Sequence, residues 1–201
     1  MISRTHAAVF LDRDGTINEE MGYINQIDRF VLLPGAANAI RRINESGLKA
    51  VLVTNQSGAA RGYFPAEFID RVHEKLSRLL LQEDAFLDGI YVCIHAPADG
   101  ELTGGCDCRK PKVGLVLQAV RELQLDLQKS YVVGDRLKDV EMARNAGIKA
   151  VLVRTGYGKG ELEFVAPTST VYPDYVADDL SEAVEWILAD TRQNASDAEG
   201  E

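Results

Sequence analysis

No apolar run in this sequence approaches the roughly 18 residues of a membrane span, and Met1–Ala8 lacks the apolar core of a secretory signal. Those two absences predict a soluble, cytosolic protein. Basic residues are not in excess. Lys and Arg number 22 against 31 Asp and Glu, a formal net charge of −9, which argues against nucleic acid or an anionic membrane surface as a general partner. An anionic small molecule remains open wherever basic side chains converge. Cysteine is scarce, and its count of three is odd, so a disulfide framework is not expected. There is no internal repeat. What is present is 201 residues with 46% apolar and 26% charged side chains, the composition of one globular domain.

Short β-branched runs at Ala7–Leu11, Ala50–Thr54, Gly89–Ile94, Tyr131–Val133 and Ala150–Val153 are nearly continuously apolar, as for parallel strands covered on both faces. Helical stripes separate them. Ala37, Ile40 and Ile43 repeat before a stop at Gly47. Pro65 opens a second helix through Leu80. Val113 to Leu123 form a third, and Leu137 to Asn145, closed by Gly147, a fourth. A last helix carries Leu180, Val184, Ile187 and Leu188, capped by Asp179 or Ser181. This alternation predicts an α/β fold, a doubly wound, mainly parallel Rossmann-like sheet flanked by helices, with ligands beyond the carboxyl ends of the strands. One domain is expected over residues 1–189 and a flexible polar tail over 190–201. Gly15–Pro34 and Ala96–Pro111 are long connections, a length that usually serves function.

Polar clusters stand at the predicted strand ends. Asp12 and Asp14 follow the first strand, Thr54-Asn55-Gln56-Ser57-Gly58 the second, and Gly134-Asp135-Arg136 the fourth, with Asp139 beyond. Adjacent carboxylates repel unless a cation or a shared proton compensates. Asp14-Gly15 also suits a plain turn, Asp139 a helix cap, and Lys110 a solvated surface. Taken together, a carboxylate pair, a hydroxyl, a lysine and a further aspartate are the parts of a phosphoryl-transfer site with a carboxylate nucleophile and Mg²⁺. Cys93-x-His95 and Cys106-x-Cys108 use every cysteine, and three thiolates with one imidazole match a closed structural Zn²⁺ site. Such an ion would pin a loop poor in apolar residues and fix Arg109 and Lys110 behind it.

Asp12-x-Asp14-Gly15-Thr16, then Thr54, Lys110 and Asp135 in that order, resembles the haloacid dehalogenase superfamily from Val9 to about Gly160. The resemblance implies Asp12 as nucleophile, Asp14 as general acid and base, and Thr54 with Lys110 stabilising the phosphoryl group. It also implies Mg²⁺ held by Asp12, the backbone carbonyl of Asp14, and Asp135. An acid at Asp14 is the mark of phosphomonoesterases within that superfamily. Asp12 and Thr54 lie too close in sequence to admit a cap domain beside the first helix, so the fold is expected to be capless, with a zinc-pinned loop.

At finer grain the chain is similar to the heptose bisphosphate phosphatases and their relatives, the histidinol-phosphate phosphatases. Asp12-Arg13-Asp14-Gly15-Thr16-Ile17-Asn18, Gly22-Tyr23-Ile24, Arg109-Lys110-Pro111 and the Cys/His quartet carry that similarity. The spacer between His95 and Cys106 favours the heptose group, as does Arg154-Thr155-Gly156-Tyr157-Gly158-Lys159-Gly160. Cys93-Ile94-His95-Ala96 departs from the Cys-Pro-His-His of many relatives but keeps the ligand histidine. A monomer acting on a sugar bisphosphate is implied, in activated-heptose synthesis for lipopolysaccharide or another surface glycan. Glu20, Met21, Gly22, Tyr23, Asn55, Gln56, Ser57, Arg109 and Arg136 would contact substrate, Arg109 as a bidentate anion ligand. For Arg136 a surface ion pair with Asp139 is an equal alternative. A phosphoacceptor signalling domain and a zinc-stabilised nucleic-acid module are the readings from other classes.

Overall fold

Ala8–Leu11 form β1, every residue of which is buried. Side chains alternate across a strand, so Val9 and Leu11 enter one core cluster while Ala8 and Phe10 enter the other. The structure is a computed structural model, and it describes residues 5–97 and 105–199. Around β1 lie β2 (Lys49–Asn55), β3 (Gly89–Cys93), β4 (Tyr131–Gly134), β5 (Lys149–Val153) and β6 (Tyr175–Ala177). All pair in parallel in the order β3-β2-β1-β4-β5-β6. β1 is therefore central, and the order reverses beside it, where open α/β sheets place their ligands.

Helices α1 (Ala36–Glu45), α2 (Glu67–Leu81) and α6 (Leu180–Glu199) cover one face, through Ile40, Ile43, Leu76, Leu80, Val184 and Ile187. Helices α3 (Gly114–Leu123) and α4 (Leu137–Ala146) cover the other, through Leu115, Val116, Val140 and Met142. The doubly wound expectation holds. Between β5 and β6 the chain makes a single turn, α5 (Gly158–Gly160), followed by short irregular turns. Among the described residues no helix is long and apolar enough to cross a membrane.

Three features differ from the sequence expectation. β6 was not anticipated, because three residues, two of them half-buried and only Ala177 fully buried, give too little periodicity to read. The polar stretch from Asp190, expected as a flexible tail, continues α6 as helix to Glu199. Asp190 anchors it, accepting from Lys149 Nζ at 2.7 Å and from the Tyr131 hydroxyl at 2.8 Å. The connection from β1 to α1 is not a free loop: it buries Ile17, Ile24 and Phe30 in the core, and Asn18 bridges to Leu32. No separate cap body is built there. Residues 98–104 of the second long connection lie outside the described residues.

Candidate active site

β1 delivers Asp12 to the carboxyl edge of the sheet, where its N–H donates to Val133 O at 2.9 Å. From the neighbouring strand end comes Asp135, and from the first turn of α4 comes Asp139. One carboxylate oxygen from each of the three lies within 4.8 Å of the others. Lys110 enters the cluster, its Nζ 2.8 Å from Asp12 Oδ1 and 2.6 Å from Asp139 Oδ1. It also donates to Val53 O at 3.1 Å and is only 4% exposed, so the solvated-surface alternative fails for it. Burial and the Asp139 charge, opposed by Lys110, push the Asp12 carboxyl up to about 6. Burial with the Asp12 and Asp139 charges pushes Asp135 up to about 8. The two acids raise Lys110 despite its burial. One ammonium thus faces more negative charge than it balances, and an all-oxygen donor set in that state fits a hard divalent cation.

Two glycines hold Asp135 in place. A Cβ on Gly15 would fall 2.1 Å from Asp135 Oδ2, and one on Gly156 would fall 2.2 Å from the same atom. Both residues have positive φ, +79° and +55°, the region that favours glycine. The Tyr157 N–H donates to Asp135 Oδ2 at 2.8 Å, and the Thr155 hydroxyl donates to Gly15 O at 2.6 Å, tying the two loops together.

Asp14 sits in a separate network. Arg13 is buried, and its Nη2 lies 2.9 Å from Asp14 Oδ2. Asn18 Nδ2 donates to Oδ1 at 2.9 Å and Gln56 Nε2 to Oδ2 at 2.7 Å. Burial would raise this carboxyl, but the Arg13 charge and these hydrogen bonds outweigh it and hold it below the usual carboxylate range. Gln56 also donates to Thr54 Oγ1 at 2.9 Å, joining the acid to the hydroxyl at the end of β2.

The cavity over these groups has a volume of about 230 Å³. Asp12, Asp14, Thr54, Lys110, Asp135, Glu20, Gly22, Tyr23, Asn55, Ser57, Arg109 and Arg136 line it, as expected from the sequence. Two expected residues do not. Gln56 is buried in the Asp14 network, and Met21 is exposed outside the cavity wall. Asn55 lines the cavity while gripping the Lys110 peptide, accepting from its N–H at 3.1 Å and donating to its carbonyl at 3.4 Å. Arg136 stacks over Tyr157, 3.8 Å from the ring centroid, and Asp139 is paired with Lys110 instead. Lys138, Asp139 and Tyr157 join the lining, and the sequence reading did not assign them to it. Asp139 was legible as the second acid of Asp135-x-x-x-Asp139; its helix-cap alternative is also satisfied, since it accepts the Arg136 N–H at 3.2 Å.

Cys93, at the end of β3, meets His95, Cys106 and Cys108, with one ligand-type atom from each within 4.8 Å of the rest. Sγ of Cys93 lies 3.7 Å from that of Cys106 and 3.1 Å from that of Cys108, and His95 Nδ1 lies 3.2 Å from Cys108 Sγ. Sulfurs in a tetrahedral zinc site with bonds of about 2.3 Å stand about 3.8 Å apart, which the Cys93–Cys106 pair matches and the closer Cys93–Cys108 pair does not. Three thiols and one imidazole gathered at one point are the donor set that suits Zn²⁺. Arg109 Nη1 donates to His95 O at 3.1 Å, linking the cluster to the cavity wall.

The HAD-hydrolase-like family model matches residues 107–183. A D-glycero-D-manno-heptose-1,7-bisphosphate 7-phosphatase of Thermosynechococcus vestitus is 42% identical over 186 residues, covering 90% of this chain and 94% of that protein. The D-glycero-beta-D-manno-heptose-1,7-bisphosphate 7-phosphatase of Haemophilus influenzae is 44% identical over 176 residues, 86% of this chain and 92% of that protein. Among solved structures, the D,D-heptose 1,7-bisphosphate phosphatase of B. bronchiseptica, complexed with magnesium and phosphate, superposes with a TM-score of 0.81 at 35% identity, covering 92% of this chain and 99% of that one. The chain belongs to the heptose 1,7-bisphosphate phosphatases, a family of phosphoric monoester hydrolases within the haloacid dehalogenase-like hydrolases.

Proposed function

We propose that this protein removes the 7-phosphate from D-glycero-D-manno-heptose 1,7-bisphosphate. The observation that carries the reading is Asp12 set among Asp135, Asp139 and Lys110 on the floor of a cavity with Arg109 and Arg136 on its wall. The Asp12 carboxylate attacks phosphorus, and the bond from phosphorus to the sugar oxygen breaks, leaving an aspartyl-phosphate. Asp14 delivers a proton to the departing oxygen, then takes one from the water that hydrolyses the intermediate. Its resting state, held below the usual carboxylate range, suits the second task. For the first, the negative charge of bound phosphate raises its proton affinity. Lys110 and Thr54 stabilise charge on the transferring group.

Asp12, Asp135 and the Asp14 carbonyl would hold Mg²⁺, with Asp139 kept to Lys110. That ion supplies charge compensation for phosphate oxygens that the single ammonium leaves incomplete. Cys93, His95, Cys106 and Cys108 would hold a structural Zn²⁺ that fixes Arg109 through the His95 carbonyl. Arg109 and Arg136, with the Glu20–Tyr23 loop, receive the retained phosphate and the sugar hydroxyls. The enzyme is expected to act as a monomer in the cytosol, releasing a sugar monophosphate for activated-heptose synthesis.

The names of both sequence relatives favour the heptose substrate over histidinol phosphate. Phosphate release from both anomers of the heptose bisphosphate, compared with histidinol phosphate and fructose 1,6-bisphosphate, tests the assignment. A heptose anomer should have the highest kcat/KM; preference for histidinol phosphate would overturn the reading.

A further inference from the structure

Arg13 is 2% exposed, and most of its guanidinium is spent on one side. Nε and Nη2 reach Asp14 Oδ1 at 3.3 and 3.0 Å, and Nη2 also reaches Asp14 Oδ2 and Gln56 Oε1, both at 2.9 Å. Nη1 points the other way, into α2, where it meets His73 Nε2 at 3.3 Å. A guanidinium has only donors, so the imidazole must present a lone pair at Nε2 and carry its proton on Nδ1. His73 is itself buried and lines a second, surface cavity with Asp70, Glu74 and Ser77 on the flank of α2. Burial and the Arg13 charge, opposed by Asp14, push this histidine down to about 4, so it is neutral across the physiological range. A cationic histidine would turn the contact with Arg13 from a hydrogen bond into a repulsion.

We infer that His73 is a positioning residue for the phosphatase reaction: it takes the far side of the Arg13 guanidinium and thereby fixes the fork that holds the Asp14 carboxylate. Without an acceptor at that point the guanidinium can rotate about its stem, and the carboxylate loses its alignment with the sugar oxygen it must protonate. The inference rests on Asp14 performing the proton transfer. It does not involve Asp12, Lys110 or the acid cluster.

A leaving group that needs no proton separates this role from a structural one. Kinetics on the heptose bisphosphate depend on the acid at Asp14. In kcat/KM for p-nitrophenyl phosphate, by contrast, the leaving phenolate departs unprotonated. His73→Leu is expected to lower kcat/KM for the sugar bisphosphate about tenfold while leaving that for p-nitrophenyl phosphate within about twofold of wild type. His73→Gln, which restores an acceptor of similar reach, should recover most of the loss. Equal losses on both substrates, no loss on either, or no recovery in a folded His73→Gln would overturn the inference. Nitrogen-15 NMR of the wild-type protein at neutral pH gives a readout without any variant, and stands even if His73→Leu does not fold. The Nδ1-protonated neutral tautomer is expected, and an imidazolium or an Nε2-protonated ring would overturn it. If the wild type cleaves p-nitrophenyl phosphate but not the sugar bisphosphate, the substrate reading fails by itself. The test of His73 then passes to whichever alkyl phosphomonoester the enzyme hydrolyses.

Discussion

The two ends of the same sheet treat aspartate in opposite ways. At the amino end each acid has a cation of its own: Asp88 with Lys49 at 2.8 Å, Asp190 with Lys149 at 2.7 Å, Asp174 with Arg144 at 3.0 Å. Asp88 and Asp174 also accept the Ala50 and Ala150 N–H groups at 2.9 and 2.7 Å, so these carboxylates finish the edge of the sheet. At the carboxyl end Asp14 has Arg13, but Asp12, Asp135 and Asp139 crowd together, and among the described residues Lys110 is the one cation ion-paired within that group. Burial beside Lys149 and Tyr131 leaves Asp190 below the usual range, because their hydrogen bonds outweigh desolvation; at Asp135 desolvation and like charge win. A satisfied acid holds the fold together, whereas a crowded one stores the affinity for a cation and a phosphate.

Substitutions at the two ends should therefore differ in sign as well as size. Asp12→Asn should show the largest effect, a fall in kcat of about 10,000-fold with the cooperative melt retained. Phosphate release and thermal unfolding measure the two, and wild-type turnover would refute the nucleophile. In chelator-treated protein, Asp135→Asn should raise stability by on the order of 2 kcal/mol while removing activity, since it removes a carboxyl whose ionisation is easier in the unfolded chain than in the fold. A carboxyl raised in the folded state costs stability above its folded value, and that cost fades as pH falls through about 8 toward the unfolded range. The variant's advantage should accordingly be greatest in alkaline urea melts and vanish near pH 4. Cys106→Ser should raise KM about tenfold by loosening Arg109 and Lys110, and metal analysis of the wild type should find about one zinc per chain. Asp190→Asn should cost about 1 kcal/mol at pH 7 and leave kcat unchanged. Its acid is lowered in the folded state, so its stabilisation is present above the unfolded value and is lost as pH falls through the folded one. The penalty should thus disappear in acid melts. If Asp135→Asn destabilised the metal-free protein, the contrast between the two ends would be broken.

Much of this was legible in the chain because parallel strands are apolar throughout and end abruptly. Leu11-Asp12 and Val133-Gly134-Asp135 mark both a strand end and a ligand-bearing edge. The Cys/His quartet was legible for another reason: few residue types bind soft cations, and all the cysteines fall together. Arg13 was named as part of the shared run after the first strand but given no role, although it turns inward and is among the most buried charges. Gln56 reads as one more polar turn residue beside Thr54, and only the fold shows that its amide faces Asp14. His73 lies on an amphipathic helix where nothing local separates a core histidine from a functional one. Such contacts join residues far apart in the chain, and periodicity carries no information about them.

The Cβ-free approach of Gly15 to Gly156 has a consequence for anyone transplanting this site. A graft that copies the first loop onto a new scaffold brings the nucleophile but leaves Asp135 unconstrained, since the wall behind that carboxylate is built half from one loop and half from the other. The smallest portable unit is therefore a pair of loops with their glycines in register, and random libraries should leave both positions untouched.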